Sequence, residues 1–454
     1  MGLLKTLSKI RGGYPGGWRE YARGYQRGKT PPFEKSSDPN DRRSLIPPLG
    51  LREYWYPAVP AKDIGTKKPV GLRMLGEDIT LFRDKNNEVQ ALWDYCPHRG
   101  VYLSWGDCFW NGFLSCPYHG ATFNGDGECV EFITEGPDSK MVGQLKAKKF
   151  PTVTLKGLVF VWMGEGEPVP PEEDIPPEFF EEDGQVLTAW RYWDCNWMIA
   201  LENAYDSHVG FMVHRNSLSG LRGRLGVAPR SPIGSRPRVV ENKTIVPTRA
   251  VGNWNQDSRA YYQRGKKQPL QMYYPRINGM WPKHTWRRLW LWFTEPMDRK
   301  MLKHALFESN EDWIGQRLPG MVRNDYRDHM YTRWVVPVEP SLSRIIYFHS
   351  ARHGTKLGRL YEFLKFNLFH NFVHHFNFSD QDYDAQRSAR YQYPEYLSAT
   401  DLAVVQLRKL VTEHARGVDK SKEMPDITTS EESMVTAYKT LESETSEPMA
   451  PSAG

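Results

Sequence analysis

Long apolar stretches are missing from this chain. No run of about eighteen apolar residues, the shortest that would predict a membrane-spanning helix, occurs in its 454 residues. The N-terminal segment also lacks the apolar centre of a secretory signal. Because 39% of the residues are apolar and 25% are charged, we expect a soluble, cytoplasmic protein of two ordinary domains with no membrane partner.

Cysteine is also scarce. The five cysteines are Cys96, Cys108, Cys116, Cys129 and Cys195, and they show no regular disulfide spacing. An odd, irregular set favours a reducing compartment, where thiols stay reduced. We expect Cys108, Cys129 and Cys195 to pack in the interior, which leaves Cys96 and Cys116 available for chemistry.

A nucleotide-binding signature and a general excess of charge are missing as well. No Gly-rich dinucleotide fingerprint follows a predicted strand, so NAD(P)H is not expected to bind this chain directly. Residues 1–50 hold ten Lys/Arg against four Asp/Glu, an excess that equals the whole formal net charge of +6. This arm could attract an acidic electron-donor protein or nucleic acid, or it could be a solvated extension that packs on a neighbour. Nothing else in the sequence indicates nucleic acid.

Two similar pairs of metal ligands lie close together in the sequence. Residues 96–100 are Cys-Pro-His-Arg-Gly, and residues 116–120 are Cys-Pro-Tyr-His-Gly. Two cysteines on one iron and two histidines on the other form a Rieske [2Fe–2S] centre, and the flanking Pro and Gly suit two tight loops that converge. A Cys2His2 zinc site uses the same residue types, but zinc pairs usually keep cysteines and histidines apart. The candidate cluster ligands are Cys96, His98, Cys116 and His119.

Composition and periodicity divide the chain into four parts. Short β-type runs bounded by Gly, Asp, Asn or Pro begin near residue 51, and the cysteine loops lie among them. Further along, β-type runs at 239–250 and 285–294 are followed by helical patterns at 356–376 and 399–415. A Pro/Glu-rich stretch at 164–177 is predicted to link the two halves.

The fold class predicted from this pattern is α+β, with a small all-β domain followed by a larger α+β domain. The predicted parts are a basic Gly/Pro-rich N-terminal arm at 1–50, the cluster domain at 51–166, a second domain at 167–418 and a disordered tail at 419–454.

A second set of candidate metal ligands lies in the second domain. Asp206, His208 and His214 follow one another closely, and an acidic stretch occurs at 379–384. Two histidines and one carboxylate on one face of Fe(II) leave positions open for O2 and substrate.

The acidic stretch offers three carboxylates for this second site. Asp382 is the preferred ligand, with Asp380 and Asp384 as alternatives. Ser379 together with Asp382 could instead form a helix N-cap.

The spacing of the early candidates does not suit a regular helix. Asp206 and His208 would lie about 200° apart around an α-helix, and His208 and His214 about 120° apart. We therefore expect a π-bulge or an irregular turn in this segment, or one of the three assignments is wrong. For the remaining histidines, including the adjacent pair His374 and His375, packing or surface roles are expected.

These motifs resemble the Rieske non-haem iron oxygenases, and among them the terminal oxygenase (alpha) component of the carbazole dioxygenase type. The shared features, beside the cluster motif, are Tyr-Trp-Tyr-Pro at 54–57, Lys-Gly-Leu-Val-Phe at 156–160, and Asn-Trp at 196–197 leading to Glu-Asn at 202–203. The resemblance implies a Rieske domain followed by a helix-grip-like catalytic domain with an antiparallel sheet. It also implies one [2Fe–2S] cluster and one mononuclear Fe(II) in each chain.

The resemblance further implies a homotrimer of α subunits. The Rieske domain of one subunit would face the catalytic domain of the next. Asp206 would then accept hydrogen bonds from His208 in its own chain and from His119 across the interface, which would give electrons a short path. A ferredoxin, an NAD(P)H-dependent reductase or both would supply those electrons.

The expected activity is the O2-dependent hydroxylation of an aromatic substrate, including biaryl or heteroaromatic compounds, by ring dihydroxylation. Monooxygenation and O- or N-demethylation are alternatives within the same family. An electron-transfer protein without the catalytic iron is an alternative of another class. Metal analysis separates the two classes, because an oxygenase would hold one more iron than the two of the cluster.

Overall fold

The computed structural model describes residues 42–205, 213, 238–246, 313–325, 329–389, 391, 395–397 and 401–418. Within these ranges the chain forms four sheets, all of them antiparallel, together with four short α-helices and one π-helical segment. This architecture confirms the α+β class. Residues 1–41 of the predicted arm at 1–50, the predicted tail and the predicted strand at 285–294 lie outside the described residues.

The first half of the chain consists of strands and tight turns. Its strands are β1 Trp55–Pro60, β2 Val70–Met74, β3 Glu77–Arg83, β4 Val89–Trp93, β5 Leu114–Ser115, β6 Ala121–Phe123, β7 Cys129–Phe132, β8 Lys149–Phe150, β9 Thr152–Leu155 and β10 Leu158–Trp162. Three sheets result, with the orders β1-β10-β9, β2-β3-β4-β8 and β5-β6-β7. The wholly apolar β10 is buried along its length between two partners, which confirms the run predicted there.

The second half is built on one sheet of seven strands. Its strands are β11 Gly184–Trp193, β12 Arg238–Val240, β13 Thr244–Val246, β14 Gly315–Arg317, β15 Met321–Asp325, β16 Met330–Glu339 and β17 Leu342–Arg352, in the order β11-β17-β16-β15-β14-β13-β12. The helices are α1 Trp197–Glu202, α2 Lys356–Lys365, the π-helical segment Phe366–Ser379, α3 Asp380–Gln386 and α4 Leu402–His414. Each helix in these described ranges is too short or too polar to span a bilayer.

The predicted helix at 356–376 exists, and it continues further than expected. Helix α2, the π-helical segment and α3 follow one another without a break from Lys356 to Gln386. Ser379 makes no capping hydrogen bond through its side chain. Asp382 therefore lies inside a continuous helical run, and the N-cap alternative for this residue is wrong.

The two halves share one hydrophobic core. Tyr56 of β1 and Phe160 of β10 pack against Trp334 of β16, with ring centroids 6.4 and 6.0 Å apart. In the stretch at 164–177, predicted as a linker, residues 165–168 are exposed, whereas residues 174–176 are buried and Ile175 belongs to the shared core. Asp174 in that stretch is buried and accepts a hydrogen bond from the Trp55 backbone N–H at 3.1 Å.

A buried charge cluster joins α4 to α1. Arg408 of α4 forms hydrogen bonds from Nε and Nη2 to the carboxylate of Glu202, at 2.7 and 2.9 Å. The same guanidinium also binds Glu395, at 2.6 Å. Burial raises the pKa of Glu202 although Arg408 opposes this, so the carboxylate depends on its partner for compensation.

We expect Arg408→Met to destabilise the protein by about 3–5 kcal/mol, because it leaves the Glu202 carboxylate buried without a cation. Chemical unfolding followed by circular dichroism measures this loss. Lys409→Met is the matched control, since Lys409 is the next residue of the same helix and is only half-buried. Equal losses in the two variants would show that the charge cluster is not what stabilises this junction.

Candidate metal centres

The two predicted cluster loops adopt the same backbone conformation. In the first loop the Cys96 N–H donates to the Val101 carbonyl at 2.9 Å, and the Gly100 N–H donates to the Cys96 carbonyl at 2.8 Å. The second loop repeats both hydrogen bonds at the equivalent positions, at 2.8 and 3.2 Å. Gly100 and Gly120 both have φ of 72°, a left-handed conformation that favours glycine.

These loops bring the four predicted ligands together. The imidazole rings of His98 and His119 lie with centroids 4.8 Å apart and planes at 68°. The thiols of Cys96 and Cys116 are joined by a hydrogen bond, and both are buried. Two sulfurs on the inner side and two half-exposed imidazoles on the outer side are the donor set that a Rieske [2Fe–2S] cluster requires.

The environment of the two sulfurs favours a single negative charge, on Cys116. The hydrogen bond with Cys96, helped by the backbone N–H groups of Tyr118 and His119, lowers the pKa of Cys116 to about 6 against the effect of burial. The same hydrogen bond and burial raise the pKa of Cys96. Because thiolate is the form that binds iron, the loop N–H groups prepare this position for a metal.

The other three cysteines have the environment of packing residues. Cys108, Cys129 and Cys195 are buried and form no disulfide. Burial raises the pKa of Cys108 to about 11, and it also raises that of Cys129 and Cys195. They remain neutral thiols, as the sequence predicts.

Asp382 is buried on the inner face of α3. Its carboxylate accepts a hydrogen bond from the Asn203 side chain at 3.4 Å and lies 3.8 Å from Nη1 of Arg333. Arg333 also donates to the carbonyl of Ala200 in α1, at 2.9 Å. Asp382 therefore lies against the end of α1, which leads directly into residues 206–214.

The other candidates for the second metal site are placed differently. The Asp380 side chain is 38% exposed and pairs with Arg191 at 3.4 Å, whereas Asp382 is only 3% exposed. Asp206, His208 and His214 lie outside the described residues, and so does the side chain of Asp384. Their roles remain predictions, and the buried position of Asp382 supports choosing it over Asp380.

Three buried histidines meet in a place that the sequence analysis did not single out. His329, His349 and His370 each offer a ligand atom, and these atoms all lie within 4.8 Å of one another. The three residues come from a loop, from β17 and from the π-helical segment. No spacing in the sequence signals their meeting, because only the packing of helix on sheet brings them together.

A buried carboxylate lies next to these histidines. Glu362 of α2 lies 2.5 Å from Nε2 of His349 and 3.1 Å from Nε2 of His353. Burial by itself would raise the pKa of Glu362, but His349, Lys365 and His353 together lower it to about 2. The carboxylate is thus an anion inside the protein.

Comparison with known families and proteins agrees with this arrangement. Residues 54–151 match the family of Rieske [2Fe-2S] domains, and residues 162–251 match the family described as homotrimeric ring hydroxylase. The terminal oxygenase component CarAa of carbazole 1,9a-dioxygenase from Sphingomonas sp. is 40% identical over 192 residues, which are 40% of this chain and 50% of that protein. The chain thus spans about half the length of the curated relatives it matches.

Solved structures show the same fold. The terminal oxygenase of carbazole 1,9a-dioxygenase from Novosphingobium sp. KA1 superposes with a TM-score of 0.62 and 25% identity, over 83% of this chain and 96% of that one. An oxygenase of carbazole 1,9a-dioxygenase solved as a reduced complex with ferredoxin has a TM-score of 0.61 and 23% identity, over 83% and 92% of the two chains.

The two loop glycines allow a matched test of the cluster site. A Cβ on Gly120 would lie 2.6 Å from Cβ of Ile133, whereas one on Gly100 would meet nothing within 4 Å. Since both have the same φ, Gly100→Ala carries only the backbone strain, about 1 kcal/mol. We expect Gly120→Ala to lose its cluster markedly faster than Gly100→Ala when a chelator is added, measured by the decay of visible circular dichroism. Equal rates would show that the contact with Ile133 does not constrain the second loop.

Proposed function

We propose that this chain, which resembles the terminal oxygenase (alpha) components of Rieske non-haem iron oxygenases, uses O2 to hydroxylate an aromatic substrate. Ring dihydroxylation is the reaction we propose, on a substrate of the biaryl or heteroaromatic class. The observation that carries the proposal is the presence of two features in one chain. Two matching loops hold a Rieske ligand set, and the buried carboxylate of Asp382 lies against the end of α1, the helix that leads to His208 and His214.

The cofactors follow from this assignment. The chain contains a Rieske [2Fe–2S] domain, whose cluster Cys96, His98, Cys116 and His119 would hold. A mononuclear Fe(II) held by His208, His214 and Asp382 is the further part of the proposal. Together the two centres supply single electrons and a metal with open positions for O2 and substrate.

Residues of the chain itself would prepare the iron site. Arg333 and Asn203 hold the Asp382 carboxylate from two sides, which fixes its direction before any metal binds. Such hydrogen bonds behind a metal ligand keep its orientation and tune its charge. Asp206, by the resemblance, would position the imidazoles of His208 and of His119 from the neighbouring subunit.

The partners are proposed on the same basis. The family matched by residues 162–251 is described as homotrimeric, and a fold neighbour was solved with ferredoxin. We therefore propose a cytoplasmic homotrimer that receives electrons from a ferredoxin and an NAD(P)H-dependent reductase.

Turnover with isotopically labelled O2 tests the function. The purified protein, a ferredoxin–reductase pair and a panel of aromatic and biaryl compounds should yield a product that contains both labelled oxygen atoms. One labelled atom in the product would indicate monooxygenation instead, whereas an unlabelled demethylated product with the label in the released formaldehyde would indicate demethylation. Reduction of the cluster without any oxygenated product, together with only two irons per chain, would identify an electron carrier.

We expect Asp382→Ala to abolish product formation in this assay and to leave the Rieske EPR signal intact, because two histidines alone hold Fe(II) weakly. Asp380→Ala is the matched control from the same helix and should retain activity, since its side chain is 38% exposed and pairs with Arg191. Full activity in Asp382→Ala would exclude this residue as an iron ligand.

Mixed trimers test the proposed route between subunits. A chain with His119→Ala and a chain with Asp382→Ala should each be inactive alone. Trimers that contain both should recover part of the turnover, because an intact cluster loop and an intact Asp382 then meet at one interface. Verified mixed trimers with no activity would contradict the arrangement across the interface and leave the Rieske domain assignment unaffected.

A further inference from the structure

We propose that His329, His349 and His370 form a third metal site, which binds a divalent zinc ion apart from the cluster and the proposed Fe(II). All three residues are buried, with exposed fractions of 2%, 2% and 4%. Three imidazoles packed around one point offer three nitrogen donors to one metal ion.

The distances suit a metal after a small adjustment. Because the three ligand atoms lie within 4.8 Å of one another, a central point is at most about 2.8 Å from each, compared with about 2.1 Å for a zinc–imidazole bond. Each ring would move inward by less than about 1 Å, which side-chain rotation allows. The rings also surround a common centre, with centroid separations of 4.0, 4.8 and 5.0 Å.

The surroundings include the support that ligating histidines commonly have. A ligating imidazole gives one nitrogen to the metal and the other to an acceptor, often a carboxylate, that fixes the ring. Glu362 lies 2.5 Å from Nε2 of His349 and is itself buried. His353 and Lys365 hold Glu362 in turn, at 3.1 and 3.6 Å. Glu362 is therefore a positioning residue for His349.

The donor type indicates the metal. Three neutral nitrogen donors without a thiolate suit zinc, which accepts three histidines and leaves a fourth position open. The site is also offset from Asp382 along the sheet. Tyr331 pairs with His349 and Arg333 pairs with Tyr347 along β16 and β17, so His349 lies about 7 Å along the strands from Arg333, the residue that contacts Asp382.

An ion at this position would have a mechanical role. His349 lies on the sheet, and His370 lies on the π-helical segment that runs directly into the helix bearing Asp382. A bond from the metal to both would fix the helix on the sheet. π-Helical segments are frequent at functional sites. The metal link between sheet and helix would determine how the Asp382 carboxylate is oriented towards the iron.

The experiment measures zinc in protein that cannot bind zinc elsewhere. The full chain with His208→Ala and His214→Ala, with its cluster loaded and verified by EPR, is dialysed against Zn2+ and analysed by mass spectrometry. One zinc per chain is expected. His370→Phe in this background should lose the zinc, whereas His414→Phe, a histidine at the end of α4, should keep it.

A milder variant and a direct spectroscopic probe distinguish loss of the metal site from misfolding of the protein. Glu362→Gln keeps the size of the side chain and should weaken zinc binding about tenfold. Zinc-edge X-ray absorption of the parent should show three imidazole ligands. Absence of zinc from the parent, a sulfur ligand at the edge, or zinc retained in a folded His370→Phe variant would overturn the proposal. None of these outcomes depends on oxygenase activity.

Discussion

The alternation of side chains along β16 and β17 is the constraint on which the rest of the structure depends. Successive residues of a strand point to opposite faces, so Trp334 and Phe348 face one side and Arg333 and Tyr347 face the other. Trp334 packs on Tyr56 and Phe160 of the first half of the chain, which carries the cluster loops and is called the Rieske half here. The other face receives α1, the π-helical segment and α3. A shift of one residue in register would exchange the two faces and destroy both contacts.

The two faces differ in chemistry as well as in position. The face towards the Rieske half buries aromatic rings, which supply the hydrophobic stabilisation that joins the halves, and it also buries the ion pair of Arg323 with Glu178. The opposite face buries Arg333, His349 and Asp382. Burying charged and titratable groups costs free energy unless each has a partner, and such groups gather where a protein performs chemistry. Asp382, the described ligand of the proposed iron site, and the three histidines lie on this face.

The conformation of the cluster loops is nearly independent of the large sheet. Cys96, Cys116 and their neighbours form a separate small core with Phe123 and Phe132. Within it, local hydrogen bonds and left-handed glycines define each loop. Local signals therefore suffice there, and the four ligands could be named from the order of residues alone. The same holds for β3, β4 and β10, where apolar runs between turn residues mark the strands.

The sequence by itself determined the α+β class, and it predicted the cluster ligands and Asp382, because each rests on short-range patterns: two repeated loops, strand runs, and an acidic stretch matched to a family motif. Only the tertiary structure decided what depends on distant contacts. It buried Asp174 and Glu178 near the junction between the halves, where Asp174 pairs with Arg416 and Glu178 pairs with the buried Arg323. It continued the helix through Ser379, because the π-helical segment packs on Tyr347 of the sheet through His375, with ring centroids 4.1 Å apart. It also brought His329, His349 and His370 together, and no local pattern could predict this, since strand register and helix packing, rather than spacing along the chain, set the distance between them.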